Sequence, residues 1–236
     1  MSLHTEFLVH WTGNNSRRAD IESLPKKERP ERYLSRLLDY YENGLFAKRT
    51  TEEVVRLMIV KRVVRLCFTE IRLSRAALHS DRYGRLGVAF SRSFIISKGG
   101  RPVVYIPYQA DPSSRLLEDS IKYVHDHSED DPETHRAAKY IMAHVKRMGN
   151  KNVSDECFEE MEWRIVFDEG RQNTHFSRCD ADQKDECRLK FGIRDVKLIV
   201  LPDEITRKMA LQNKKMQDHF SEHTPILVTL DDCAHF

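Results

Sequence analysis

The sequence predicts an α+β fold in which a mixed or antiparallel sheet forms the core and an α-hairpin is attached to it. Strand-like and helix-like segments are interspersed without a regular β-α-β repeat. The central stretch Leu66–Phe90 places two apolar runs on either side of a polar connection that contains Gly84. Two helix-like segments, Pro112–Asp126 and Pro132–Met148, are separated by a short acidic turn, as in an α-hairpin.

The segments before the central stretch predict one strand and one helix. Glu6–Trp11 alternates apolar and polar residues, as a half-buried strand does. Pro30 suits the first turn of a helix, apolar residues then recur at helical spacing, and Gly44 suits the helix end. The polar stretch Asn14–Arg29 is predicted to be a loop. In Glu52–Val64 the β-branched residues leave both helix and strand open.

The segments after the central stretch predict further short elements. Helices are predicted at Ser91–Lys98, closed by Gly99 and Gly100, and from Pro202 to about Phe220. Asp168–Lys190 is polar and is predicted to be a long loop, a kind of segment that is often functional. Strands are predicted at Pro102–Ile106, Met161–Phe167, Lys197–Leu201 and Ile226–Leu230.

Length and composition predict one folded domain. The chain has 236 residues, of which 40% are hydrophobic and 32% are charged, enough for a core under a charged surface. We expect residues 1–236 to form a single α+β domain with residues 110–150 as a helical insertion. No apolar run approaches the roughly 20 residues of a membrane span, and we expect no signal peptide. The five irregularly spaced cysteines favour a reducing cytoplasm over a disulfide framework.

Charge is unevenly distributed along the chain, although the net charge is only +2. The stretch Arg17–Arg75 is rich in lysine and arginine, whereas Glu118–Glu133 is acidic. A basic N-terminal half could bind nucleic acid or a phosphate-bearing small molecule. It could equally be a solvated surface on which basic and acidic side chains alternate.

Several short motifs occur in an order that resembles a known family. They are His10-Trp11-Thr12-Gly13, Cys67-Phe68-Thr69-Glu70, His79-x-x-Arg82-Tyr83-Gly84-x-x-Gly87, Gly99-Gly100-x-Pro102-Val103, Glu162-Trp163-Arg164-Ile165 and Ile199-Val200-Leu201-Pro202-Asp203. Together they resemble AbiGi, a bacterial abortive-infection phage-resistance family whose described role is that of an antitoxin. The resemblance implies a function in antiviral defence and a partner protein from the same defence operon.

A more distant resemblance concerns chemistry. A histidine near the end of an early strand, a Tyr-Gly-x-x-Gly segment and a glutamate on a late strand resemble the layout of ADP-ribosyltransferase folds. This resemblance implies NAD as cofactor and an ADP-ribosyltransferase or NAD glycohydrolase activity. Glu162 would be the catalytic carboxylate that stabilises positive charge developing on the ribose. Tyr83 would stack on the nicotinamide with support from His79.

The same resemblance implies a set of cofactor-binding residues. His10 would hydrogen-bond the ribose, and Thr12 and Gly13 would contribute backbone groups. Arg82 is best placed to hold the pyrophosphate, although other arginines, Arg72, Arg75 and Arg92, would also be candidates. For each of these residues a structural role, such as a strand-end histidine or a glutamate paired with a basic neighbour, stays open.

Other chemistries receive less support from the sequence. The spacing His175-x3-Cys179-x7-Cys187 lacks the close cysteine pair of common zinc sites, so we predict no metal site. Cys67 lies in an apolar run, where cysteine usually contributes packing. Two hypotheses therefore remain open. One is an NAD-using enzyme with a pocket that joins His10, Tyr83 and Glu162. The other is a non-catalytic antitoxin or sensor that binds a partner protein or nucleic acid.

Overall fold

The computed structural model describes residues 6–13, 21–55, 58–70, 72–106, 112–128, 131–147, 161–167, 176–178 and 186–235. The strands are β1 Phe7–Thr12, β2 Leu45–Val55, β3 Met58–Thr69, β4 Leu86–Ser91, β5 Arg101–Pro102, β6 Val104–Ile106, β7 Val145–Arg147, β8 Glu162–Phe167, β9 Phe176–Arg178, β10 Glu186–Leu189, β11 Val196–Leu201 and β12 Ile226–Thr229. The α-helices are α1 Arg29–Asn43, α2 Ala76–Tyr83, α3 Arg92–Ser97, α4 Pro112–Asp126, α5 Pro132–Ala143, α6 Glu204–Gln212, α7 Lys214–Glu222 and α8 Leu230–Cys233.

Most of the described strands form one large mixed sheet. Its main path runs β12-β11-β4-β1-β3-β2-β10-β9, and β8 joins it by pairing with β3 and with β5. The β11–β12 pair is parallel and the other pairs of this sheet are antiparallel. Strands β6 and β7 form a separate parallel pair. The predicted α+β class with a mixed sheet core is therefore confirmed.

The sheet is covered on both faces, because neighbouring residues of a strand point in opposite directions. In β1, Leu8 belongs to the larger core, which includes residues of α1 and α7 such as Leu37 and Phe220. The next residue, Val9, belongs to a smaller core on the other face, together with Ala76 of α2. Strand β1 is thus buried from both sides and lies in the middle of the sheet.

Several sequence-based assignments are confirmed and others are wrong. The strands around residues 7–12, 162–167, 196–201 and 226–229, the helix that ends at Gly44 and the α4 helix lie where the pattern predicts them. The ambiguous segment Glu52–Val64 is extended and belongs to β2 and β3. The long loop predicted at Asp168–Lys190 is wrong in part, because β9 and β10 lie inside it.

Two helix boundaries also differ from the prediction. Helix α5 ends at Ala143 instead of Met148, because Val145–Arg147 pairs with β6 as a strand. The helix predicted from Pro202 to Phe220 is two helices, since Asn213 has extended backbone and caps the second one. The assignment of residues 110–150 as an insertion in a single domain stays a prediction. No helix in the described part of the chain has both the length and the apolar character needed to cross a membrane.

Candidate functional site

Strand β3 organises the centre of the molecule, because three strands pair with it. Strand β8 pairs with one edge of β3 over Val64–Thr69. On the opposite edge, β2 pairs with β3 as far as Arg65, and β1 pairs with it at Thr69. The β1 and β2 strands therefore diverge along this edge, and a gap opens beside Cys67.

The side chain of His10 fills part of this gap. Its Nδ1 donates a hydrogen bond to the backbone carbonyl of Cys67 over 2.9 Å, where a neighbouring strand would otherwise supply a donor. Its ring lies 6.0 Å from the Tyr40 ring and 5.7 Å from the Phe68 ring, measured between centroids. Desolvation lowers the pKa of His10, which keeps the ring neutral at pH 7.

The opposite side of the gap is built by β8. Its register places Glu162 opposite Thr69 and Arg164 opposite Cys67. Because Glu162 and Arg164 are two residues apart on a strand, they share one face. Arg164 is fully buried, and its Nη1 donates to the carbonyl of Ala143 over 2.7 Å. This bond ties β8 to the end of helix α5.

Glu162 is buried and engaged by two cations. Arg164 Nε donates to Oε1 over 2.8 Å, and Lys146 Nζ donates to Oε2 over 3.0 Å. Burial alone would raise the pKa of this carboxyl, but Arg164 and Lys146 outweigh it and lower the pKa to about 2. The carboxylate is therefore ionised at neutral pH, and its charge is neutralised inside the protein.

These elements enclose a cavity of about 200 Å³. Trp11 is fixed in its wall, because Nε1 donates to Thr69 Oγ1 over 2.9 Å. Half of the lining residues are buried, whereas the others, His10, Arg65, Cys67, Tyr83 and Lys146, are partly exposed. Its lining consists of Val9, His10, Trp11, Arg65, Cys67, Thr69, Tyr83, Lys146, Glu162 and Arg164.

The cavity brings together three of the residues singled out from the sequence. His10, Tyr83 and Glu162 all line it, as the enzyme hypothesis requires. His79 does not line it but is buried behind Tyr83, with the two rings stacked at 6.2 Å between centroids. No finding tests the catalytic roles of Glu162, Tyr83 and His79, so these roles stay predictions.

The remaining candidates lie away from the cavity lining. Thr12 is buried at the end of β1. Gly13 has a φ of 125°, and a Cβ there would lie 2.6 Å from the Tyr33 hydroxyl. Arg82 is exposed on α2, and Arg92 forms an ion pair with Glu70. The pyrophosphate-binding role predicted for Arg82 therefore has no support from the position of this side chain.

Three basic residues of the cavity were missed by the sequence reasoning. Arg164 could have been found, because it follows Glu162 by two residues on a predicted strand. Lys146 was hidden inside a predicted helix, and Arg65 lay in the apolar run before the central stretch. His175 and Cys179 lie outside the described residues. Within the described residues, no group of three or more His, Cys, Asp and Glu side chains could hold a metal ion.

The fold and the cavity define an α+β protein with a pocket at a branch point of its sheet, and the lining of this pocket includes three basic side chains and one carboxylate. The chain belongs to the AbiGi family, whose sequence model matches residues 41–202 and is described as "Putative abortive phage resistance protein AbiGi, antitoxin". The match includes every cavity residue except those of β1. No curated protein and no solved structure matches the chain. The ADP-ribosyltransferase resemblance therefore stays a prediction.

Proposed function

We propose that this protein is the antitoxin of an anti-phage abortive-infection system and that it acts by binding a partner protein through helix α4. The family description supports an antitoxin in a defence system. The observation that carries the proposal is the surface of α4, where apolar side chains face solvent. Catalysis by the cavity is not needed for such a function.

Helix α4 exposes apolar side chains in a regular arrangement. Leu116 is 69% exposed and Tyr123 is 64% exposed, and their neighbours Leu117 and Val124 are also exposed. The members of each pair, 116 with 123 and 117 with 124, are seven residues apart and lie on one face of the helix. Ile121 is buried instead, where α4 packs against α5. Large apolar side chains that are exposed together on one helix are a feature of protein interaction sites.

The charges around this face indicate what kind of partner fits it. Between Leu116 and Asp126 the helix carries three carboxylates, those of Glu118, Asp119 and Asp126, and one ammonium, that of Lys122. Protein interfaces commonly combine an apolar centre with a charged rim of complementary sign. The expected partner therefore presents an apolar surface with a basic rim.

The proposal can be tested with the protein encoded beside this one in the same operon. Expression of that partner alone should arrest growth, and co-expression of this protein should relieve the arrest. A variant that carries Leu116→Ser and Tyr123→Ser should fail to relieve it. The matched control carries Leu78→Ser and Leu211→Ser, which also replace exposed leucines, on α2 and α6, and should behave as wild type. Full relief by the α4 variant would overturn the proposal.

A second candidate function is an NAD-using transferase or glycohydrolase, which the meeting of His10, Tyr83 and Glu162 in one cavity favours. One observation argues against this candidate. The Glu162 carboxylate already accepts hydrogen bonds from Arg164 and Lys146, so fewer of its lone pairs can accept one from a ribose hydroxyl. NAD turnover by wild type that disappears in Glu162→Gln would establish this candidate. Under our proposal, neither the wild-type protein nor the Glu162→Gln variant consumes NAD. Nucleic acid binding by Arg17–Arg75 stays a prediction.

A further inference from the structure

We propose that the buried Glu162–Arg164 pair positions the α-hairpin, α4 with α5, on the sheet and thereby fixes where the partner-binding face of α4 lies. This inference rests on the proposed function, because it concerns how that face is presented. It makes Glu162 and Arg164 positioning residues, which act on the partner only through the hairpin. The decisive contacts lie at the foot of the hairpin, residues 143–146, where α5 ends and β7 begins.

Helix α4 is connected to the sheet mainly through α5. Of the described elements, α5 is the one against which α4 packs most extensively. Helix α5 in turn packs against β3, and it buries the side chains of Ala138, Met142 and Ala143. The burial of apolar surface is non-directional. Hydrogen bonds at the foot therefore have the larger part in fixing the orientation of the hairpin.

Arg164 supplies hydrogen bonds to the foot of the hairpin. Ala143 is the last residue of α5, and the carbonyls of the last helical turn have no partner within the helix. Arg164 Nη1 donates to the Ala143 carbonyl over 2.7 Å and to the Val145 carbonyl over 3.4 Å. A cation at a helix C-terminus also interacts favourably with the helix dipole. The guanidinium thus caps α5 from strand β8 and joins the hairpin to the sheet.

Glu162 holds the same guanidinium from the other side. Arg164 Nε donates to Oε1 over 2.8 Å and Nη2 donates to Oε2 over 3.3 Å, so the pair is bidentate. Lys146 Nζ donates to Oε2 over 3.0 Å, which adds a further tie between the foot and β8. A planar guanidinium with partners on both sides has little freedom to turn. The place of the carboxylate therefore determines the place of the foot.

His144 adds backbone contacts at the same place. Its carbonyl accepts a hydrogen bond from the Val104 N–H over 2.8 Å, and its Nε2 lies 3.3 Å from the Arg164 carbonyl. These contacts use the backbone of β6 and β8 and do not require the Arg164 side chain. A change of that side chain should therefore alter the orientation of the hairpin without detaching it.

A distance measurement on the isolated protein tests the positioning. Spin labels at Lys122 of α4 and Ala77 of α2, which are both exposed, report the place of the hairpin relative to the sheet. Ketone-bearing unnatural residues carry the labels, so the native cysteines stay in place. By pulsed electron paramagnetic resonance, Arg164→Lys should shift or widen the distance distribution of wild type. Lysine keeps a charge beside Glu162 but lacks the fork that reaches the carboxylate and the carbonyl together.

Arg188→Lys is the matched control. Arg188 of β10 also joins a carboxylate to a carbonyl near a helix end, because its Nη1 donates to Asp39 over 2.7 Å and to the Gly44 carbonyl over 3.1 Å. That helix is α1, so the distance distribution should match that of wild type.

Lys146→Met is the second test variant. It removes the tie from the foot to Glu162 and should change the distance distribution less than Arg164→Lys does. Because Lys146 is partly exposed, this variant decides the question if Arg164→Lys does not fold.

Partner binding by the same variants tests the consequence for function. The probe is the protein encoded beside this one in the same operon, and its affinity for folded Arg164→Lys should fall about tenfold. A purely structural role of Arg164 would lower the folded fraction seen by circular dichroism. It would leave both the label distance and the affinity of the folded protein unchanged.

Three outcomes would overturn the inference. The first is a wild-type distance distribution in Arg164→Lys, or in Lys146→Met if the former does not fold. The second is an equal change in Arg188→Lys, and the third is a changed distance with unchanged partner affinity. Failure of the proposed function has a different signature, because the variant with Leu116→Ser and Tyr123→Ser would then bind the partner as wild type does.

Discussion

Strand β8 and helix α4 distribute their side chains in opposite ways. Strand β8 buries the charged Glu162 and Arg164, whereas α4 exposes the apolar Leu116 and Tyr123. Folded proteins usually place charges outside and large apolar residues inside. The buried charges are tolerated because they pair with each other. The exposed apolar residues have no comparable explanation within the described fold, which makes α4 the candidate for recognition and β8 the candidate for stability.

The largest expected effect comes from breaking the buried pair on β8. Arg164→Met leaves the Glu162 carboxylate without its main counter-charge and the Ala143 carbonyl without its donor. Removing one partner of a buried pair costs about 3–5 kcal/mol. Urea unfolding followed by circular dichroism measures this loss. Arg136→Met is the control, because Arg136 pairs with the exposed Glu133 and its loss should cost at most about 1 kcal/mol. Equal losses for the two variants would refute a special role of Arg164.

A smaller effect is expected at the gap between β1 and β2. His10→Ala removes the donor that satisfies the Cys67 carbonyl and should lower the free energy of unfolding by about 1–3 kcal/mol. His235→Ala, at an exposed position near the end of the chain, should change it by less than about 0.5 kcal/mol. Wild-type stability of the His10 variant would show that solvent satisfies the carbonyl equally well.

The pH dependence of stability should distinguish the titration of His10 from that of Glu162, which lines the same cavity. Because the folded state lowers the pKa of His10, the unfolded chain binds more protons below about pH 6.5. The stabilising contribution of the neutral ring is complete above that pH and is lost as the pH falls through the lowered value. Glu162, with a pKa of about 2, stays ionised over the same range. Stability measured from pH 7 to 5 should therefore fall less steeply in His10→Ala than in wild type. Parallel curves would contradict this assignment.

The smallest effect on stability is expected on α4. The double replacement of Leu116 and Tyr123 by serine should change the free energy of unfolding by at most about 0.5 kcal/mol per site, as is usual for exposed positions. Thermal unfolding of the purified variant measures this. A loss as large as that of Arg164→Met would place the two side chains in the core and remove the contrast with β8.

Local patterns in the sequence predicted many of the helices and strands, but they did not predict which strands pair with each other. The alternation in β1 and the helical spacing in α1 are properties of single segments, and both were recognised. The two apolar runs at the ends of Leu66–Phe90 were recognised as strand-like, but nothing in them indicates that β1 lies between β3 and β4. Strand β7 was assigned to a helix because its strand character comes from pairing with β6. Such pairings depend on contacts distant in sequence.

The candidate site could be predicted in part for the same reason. His10, Tyr83 and Glu162 were selected by resemblance, and they do line one cavity. The basic residues Arg65 and Lys146 reach it because β3 pairs with β8 and because β7 pairs with β6, and both pairings join segments distant in sequence. Their charge was visible in the sequence, but their common location was not.

The branching of the sheet at β3 has a consequence for how the protein unfolds. The chain has two tryptophans, Trp11 on the β1 branch and Trp163 on the β8 branch, and both branches pair with β3. Loss of β3 would remove the pairing of β8 over Val64–Thr69 and the link to β1 at Thr69, so the two branches are thermodynamically coupled through β3. Single-tryptophan variants, Trp11→Phe and Trp163→Phe, should therefore report one shared, cooperative transition.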